Sequence, residues 1–255
     1  MYEPGLTARK IAEFDTAIFD KYRQWELTFD WDPSEDPNRY IRTDGTHMIY
    51  LPIYNQRNKQ SRRKLQDENS FASLTTKYTD EINTLWNDIL KPQCEYLANI
   101  TGIADPFIVQ ADIARMKPES GNTSLHTDTR YNQRYSRRYN IAISTNDDCW
   151  LYYQSYDLTI GGTRNHISEG EVWELNNKIV HGAVNYGNTW RTHLIIDIMP
   201  KNYFARMCSL YDPYARVPNP QDKNTTYDYD INGNLIHEPL FKDLPHCFPA
   251  RTHSL

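Results

Sequence analysis

Tyr139-Asn140-Ile141-Ala142-Ile143-Ser144-Thr145-Asn146-Asp147-Asp148-Cys149-Trp150-Leu151-Tyr152-Tyr153 sets two short β-prone runs on either side of an Asn-Asp-Asp turn signal. β-Branched and aromatic side chains suit a pleated, half-buried surface, whereas Asn and Asp tolerate the tight backbone of a turn. The same pattern extends outward. Runs at 107–113, 171–175 and 191–198 are equally β-prone, and Pro118 to Asn122, Gly161-Gly162, Asn176-Asn177 and Gly187-Asn188 punctuate them. Helices do not alternate with these strands, so a doubly wound fold is not expected. The spacing predicts a mainly β fold with flanking helices, either a sandwich or a double-sheet jelly roll of the cupin type.

Upstream, Ile82, Leu85, Trp86, Ile89 and Leu90 recur at the spacing of an amphipathic helix, and Tyr96, Leu97 and Ile100 continue the stripe. Pro92 interrupts it. A helix at about 78–100, kinked or broken at Pro92 and ending before Gly102, is expected. Residues 1 to about 70 are polar with short apolar runs such as 48–53, and are expected to wrap the core. Beyond Pro200 the chain reads as a loop-rich extension. The resulting organisation is one domain: a wrapping region with the helix over 1–105, a β core over 106–200, and an extension over 201–255.

Composition narrows the partners. The 255 residues are 39% hydrophobic and 24% charged, enough apolar content to bury a full core. A net charge of −5 argues against nucleic acid as the main partner. No run approaches the length of a membrane span, and Met1-Tyr2-Glu3-Pro4 opens without a signal-like pattern, so a cytoplasmic protein that does not enter a membrane is expected. Cys94, Cys149, Cys208 and Cys247 are scattered without metal-like pairing and read as reduced thiols.

The chemistry is carried by His126-Thr127-Asp128, then His181-Gly182, then Arg191. On a strand, residues i and i+2 share a face, so His126 and Asp128 can offer an imidazole and a carboxylate to one point, with His181 arriving from a facing strand. Two histidines and one carboxylate on one face of a metal leave positions open for a cosubstrate and oxygen, the arrangement of non-haem Fe(II) oxygenases. Arg191 opens the apolar run 194–196. A buried arginine needs an anion, and its planar fork suits bidentate capture of a carboxylate.

These words belong to a longer pattern: Arg115-Met116-Lys117-Pro118, His126-Thr127-Asp128, Arg138-Tyr139-Asn140, Gly170-Glu171-Val172-Trp173, His181-Gly182-Ala183-Val184-Asn185 and Arg191-Thr192-His193-Leu194. Over about 110–200 the chain resembles the aspartyl/asparaginyl β-hydroxylase family, which includes free-proline hydroxylases. The resemblance implies a double-stranded β-helix in which His126, Asp128 and His181 hold Fe(II), with 2-oxoglutarate and O2 as cosubstrates. It also implies that Arg191 binds the distal carboxylate of 2-oxoglutarate. Arg138 stands where the family has an Arg-X-His word and would be a second cosubstrate contact; Asn140 replaces the histidine. The implied activity is hydroxylation of an unactivated C–H bond of a free amino acid or amino-acid side chain, releasing succinate and CO2. The alternative is a non-oxidative cupin-type metal- or ligand-binding protein, followed by a structural protein. A homo-oligomer is compatible with either.

Other residues carry less. His193 shares a strand face with Arg191 and reads first as a hydrogen-bonded structural histidine, second as a pocket residue. His47, His166, His237, His246 and His253 read as surface or structural. Arg130, Arg134, Arg137 and Arg138 read mainly as a solvated face, with recognition of an anionic substrate as the lesser reading. Trp150, Tyr152, Trp173 and Trp190 are expected to be core rings.

Overall fold

The structure is a computed structural model that describes residues 7–29, 31, 42–44, 48–55, 79–122, 126, 128, 133, 136–153, 163–177 and 180–210. In chain order these form β1 (Ala8–Glu13), a 3-10 turn (Thr16–Phe19), α1 (Asp20–Thr28), β2 (Arg42–Asp44) and β3 (Met48–Asn55). Then come α2 (Thr79–Thr84), a π-helical segment (Leu85–Leu90), α3 (Lys91–Ile100), β4 (Pro106–Met116), β5 (Gly121–Asn122), β6 (Arg137–Ser144) and β7 (Cys149–Tyr153). The chain continues through β8 (Thr163–Asn165), β9 (Glu171–Leu175), β10 (His181–Asn185), β11 (Arg191–Pro200) and α4 (Lys201–Leu210).

The strands pair into a large sheet, ordered β1-β9-β6-β11-β4-β3-β2, and a small one, ordered β5-β10-β7-β8. Every pairing is antiparallel. From β4 to β11 the chain alternates between the sheets, pausing in the small one only for β7 and β8. That alternation winds the double-stranded β-helix, a jelly roll. The turn between β6 and β7 is therefore a crossing between sheets. Asn146 builds it, accepting from the Cys149 N–H at 3.0 Å on its carbonyl and from the Asp148 N–H at 3.1 Å on its side chain.

The N-terminal region does more than wrap. β1 extends one edge of the large sheet and β2–β3 the other, so these strands complete its ladder. Pro52 lies inside β3 at a register shift between Pro52 and Tyr54, a place where the missing N–H of proline is tolerated.

Strand alternation separates two apolar layers. Ala111, Ile113, Tyr139, Ile141, Val172, Leu194 and Ile196 pack outward against Tyr22, Leu85, Leu90 and Leu97 of the helices. Ala114, Met116, Ala142, Leu151, Tyr153 and Ala183 point between the sheets. On the helix side, Arg115 lies between Trp31 and Trp190, 4.4 and 4.2 Å from the ring centres, and 2.8 Å from Glu26. This cation sandwich ties α1 to the sheet.

Two expectations are corrected here. Of the kink or break expected at Pro92, the break is absent: helical backbone continues through 79–100, with the winding changing from π to α immediately before Pro92. The π segment before it bonds the Lys91 N–H to the Trp86 carbonyl and adds one residue to the turn. That extra residue shifts the buried stripe by one position. Cys94, Leu97 and Ala98 are buried, whereas Tyr96 and Ile100 are exposed at 54% and 42%. The second correction is α4, which occupies the start of the expected loop-rich extension, with Phe204 buried against Phe107. Residues 211–255 lie outside the described residues. No helix among the described residues is long and apolar enough to cross a membrane.

Candidate metal centre

His181 opens β10, and His126 faces it across a single antiparallel bridge. The His126 N–H donates to the His181 carbonyl at 3.0 Å, and the His181 N–H returns the bond at 2.9 Å. The ladder thus sets the two histidines side by side, their ring centroids 4.7 Å apart. His126 and Asp128 were expected on a strand; among the described residues His126 forms the single bridge to His181 and Asp128 lies in no strand. The backbone of Asp128 is held instead by its N–H donating to the Asn177 carbonyl at 3.0 Å.

His126, Asp128 and His181 bring their ligand atoms within 4.8 Å of one another, with Asp128 Oδ1 3.8 Å from His126 Nε2. Donors bound at about 2.1 Å to one ion stand at most about 4.2 Å apart, so small side-chain movements close the set. Half-exposed His126 has that freedom. The donors fit a divalent first-row metal, because two imidazoles and one carboxylate satisfy only one face of it.

The outer oxygen of Asp128 is already held. Arg138 Nη1 and Asn177 Nδ2 both donate to Oδ2, the latter at 3.0 Å, which leaves Oδ1 toward the histidines. Burial opposes ionisation of this carboxyl. The charge of Arg138, then those of His181 and His126, and the bond from Asn177 outweigh it and hold Asp128 down to about 2. Arg138 in turn donates from Nε and Nη2 to both oxygens of Asp197, at 2.9 and 2.8 Å. A bidentate pair of this kind fixes the guanidinium plane. Burial works against the Arg138 charge, but Asp128 and Asp197 reverse that and raise its pKa.

Arg191 and His193 stand on the inward face of β11, and Asp197 lies further along the same row. Six residues of strand, roughly 20 Å, separate Arg191 from Asp197. The metal donors lie toward Asp197, because Arg138 touches both Asp128 and Asp197. Arg191 is buried, and its Nη2 meets His193 Nδ1 at 3.0 Å. Asn140 is buried on β6 opposite Ile195 of β11.

Other sequence candidates fall elsewhere. Arg137 points to the far face of β6 and binds Glu174 and the Thr101 carbonyl, so it joins structure rather than a solvated patch. Arg130, Arg134, His47, His237, His246 and His253 lie outside the described residues. His166 meets the Cys149 carbonyl at 2.9 Å, a structural contact. Trp150, Tyr152, Trp173 and Trp190 are half-buried rather than core rings. Trp150 lies under Arg164 and Trp190 under Arg115, because a ring between an apolar layer and a cation need not be enclosed. Cys94 and Cys149 are free and buried.

Sequence reasoning missed Asn177 and Asp197. Asn177 read as turn punctuation. Asp197 offered a signal, a lone acid inside an apolar run, which is costly unless a cation meets it.

The family model for aspartyl/asparaginyl beta-hydroxylase matches residues 50–200. No curated protein sequence matches the chain. Among solved structures, the chain is similar to an oxidoreductase of the 2OG-Fe(II) oxygenase family from Burkholderia pseudomallei. The two share 17% identity over 73% of this chain and 80% of that one, with a TM-score of 0.48. It is also similar to HygX from Streptomyces hygroscopicus, whose structure holds nickel and 2-oxoglutarate, at 11% identity over 76% and 83% with a TM-score of 0.45. AviO1 from Streptomyces viridochromogenes aligns at 13% identity over 77% and 91%, with a TM-score of 0.47.

Proposed function

Because the chain belongs to the aspartyl/asparaginyl β-hydroxylase family, a family of 2-oxoglutarate-dependent oxygenases, we propose that it hydroxylates an unactivated C–H bond of a free amino acid or amino-acid side chain. The observation that carries the reading is the convergence of His126, Asp128 and His181 inside the jelly roll, with Arg191 on the inward face of the same barrel. His126, Asp128 and His181 hold Fe(II), and Arg191 holds the distal carboxylate of 2-oxoglutarate. Bound iron, with 2-oxoglutarate and O2, supplies the oxidant: one oxygen atom enters the substrate as hydroxyl and the other leaves in succinate, with release of CO2.

The side chains divide the remaining work. Arg138 and Asn177 hold Asp128 Oδ2, so that Oδ1 faces the metal position and the carboxylate binds through one oxygen. Asp197 holds Arg138 in that pose. In this reading Arg138 positions a ligand, and Arg191 takes the cosubstrate. The bridge between His126 and His181 keeps the two imidazoles adjacent before any ion arrives. An amino-acid target is supported by the family description, which names aspartyl and asparaginyl groups.

The test is turnover with Fe(II) and 2-oxoglutarate against a panel of free amino acids and short peptides, reading succinate release and a product heavier by one oxygen atom. Succinate formation stimulated by one class, with matching product, is expected. Substrate-stimulated succinate release with none of the panel would overturn the amino-acid assignment.

A further inference from the structure

His193 is fully buried on β11, two residues beyond Arg191 and on the same inward row. Its Nδ1 lies 3.0 Å from Arg191 Nη2. A guanidinium has only donors, so Nδ1 must be the acceptor, and the single proton of the neutral ring sits on Nε2. Among the described residues that Nε2–H donor has no hydrogen-bond partner, although buried polar atoms in folded proteins almost always have one. Both residues flanking His193 across the sheet are alanine, Ala114 on β4 and Ala142 on β6. Neither methyl side chain offers the imidazole a polar partner.

We propose that His193 is the second anchor of the cosubstrate: its Nε2–H donates to the distal carboxylate that Arg191 binds. The inference rests on the reading of Arg191 given above. It adds a residue and a division of labour. Arg191 neutralises the carboxylate with its charge, and His193 supplies a neutral, directional donor whose position Arg191 itself sets through Nδ1. Its place on the row fits, since His193 lies between Arg191 and the metal end of β11. Burial, and then the charge of Arg191, keep the ring neutral, which preserves the donor-acceptor polarity. An anion arriving beside Arg191 gives the His193 N–H an acceptor next to a fixed positive charge.

The experiment is calorimetric titration of the Ni(II)-loaded protein with 2-oxoglutarate, nickel preventing turnover. His193→Asn keeps an acceptor near Nδ1 for Arg191 but loses the distal donor, whereas His193→Gln can place an amide N–H near Nε2. The expected result is wild-type binding, loss of about 10-fold or more in His193→Asn, and retention within about 3-fold in His193→Gln. Nickel affinity stays unchanged in both. If wild type binds, Arg191→Ala loses binding and His193→Asn binds normally, the role of His193 is overturned while that of Arg191 stands. If wild type does not bind, or Arg191→Ala binds equally well, the reading of Arg191 fails and this inference with it. Imidazole nitrogen NMR on wild type is a second test that needs no variant. A proton on Nε2 that shifts on adding 2-oxoglutarate supports the proposal; a proton on Nδ1 overturns it.

Discussion

Arg138 binds two carboxylates at once, donating from Nη1 to Asp128 and from Nε and Nη2 to Asp197. Asp197 is almost entirely buried, so the guanidinium is its charge partner as well as the brace on Asp128.

Removing that guanidinium should therefore harm both stability and metal binding. Arg138→Ala strands a buried Asp197, a change that costs about 3–5 kcal/mol in comparable buried pairs. Metal affinity should fall about 10- to 100-fold, the usual scale for loss of an outer partner of a ligand. Urea unfolding and a Co(II) titration followed by its visible bands check the two effects separately. An unchanged Co(II) affinity in a folded variant would remove Arg138 from the metal site.

Alanine at His181 or Asp128 should abolish iron-dependent succinate formation; the Asp128 variant also loses a partner of Arg138, which Asp197 still holds by two hydrogen bonds. Circular dichroism together with succinate detection is the measurement. Turnover at the wild-type level in either variant contradicts the metal assignment.

Arg191→Lys retains a charge but loses the planar fork that matches a carboxylate. Apparent affinity for 2-oxoglutarate should weaken about 10-fold, with iron affinity unchanged. Steady-state succinate formation against 2-oxoglutarate concentration reads the change.

His193 also predicts an acid limb in stability. Its folded pKa lies well below the ordinary 6.5, first because of burial and then because of Arg191 and His166. Below pH 6.5 the unfolded chain takes up a proton that the folded ring refuses, so the unfolded state binds more protons. Stability is full above pH 6.5 and falls as pH drops from there toward the folded value, by up to about 1.4 kcal/mol per pH unit from this one group. Urea midpoints of metal-free protein between pH 7.5 and 5 should decline more steeply in wild type than in His193→Asn. Parallel declines would refute the contribution.

Gly170 holds a φ of +83°, and a Cβ there would stand 2.5 Å from the Phe14 carbonyl oxygen. The glycine also accepts from the Phe14 N–H at 2.9 Å and donates to the Ala142 carbonyl at 2.8 Å, so it cannot move away without breaking the link between β1 and the sheet. Gly170→Ala should cost about 2–4 kcal/mol, combining backbone strain and a backbone clash. Thermal unfolding measures it, and a variant as stable as wild type would show that β1 yields.

Strand alternation made the β runs legible, because period-two patterning is local and leaves its mark within a few residues. The helix stripe was legible only up to Leu90. Past that point, a π segment precedes Pro92, and a one-residue insertion is invisible to a periodicity that assumes regular winding. The half-buried positions of Trp150 and Trp190 were hidden too, since they depend on Arg164 and Arg115, which other strands deliver.

By itself, the order of residues determined the chemical kinds at the site: two imidazoles and a carboxylate able to share a metal, and an arginine in an apolar run that requires an anion. Donor type is an intrinsic property of each side chain and survives without any knowledge of its neighbours. Only the tertiary structure decided which partners those groups meet. Pairing of β6 with β11 turned Arg138 toward Asp128 and Asp197 and left Arg191 beside His193. A register shift of one residue would send each of these side chains to the opposite face of the sheet. That register is set by contacts between strands about 50 residues apart.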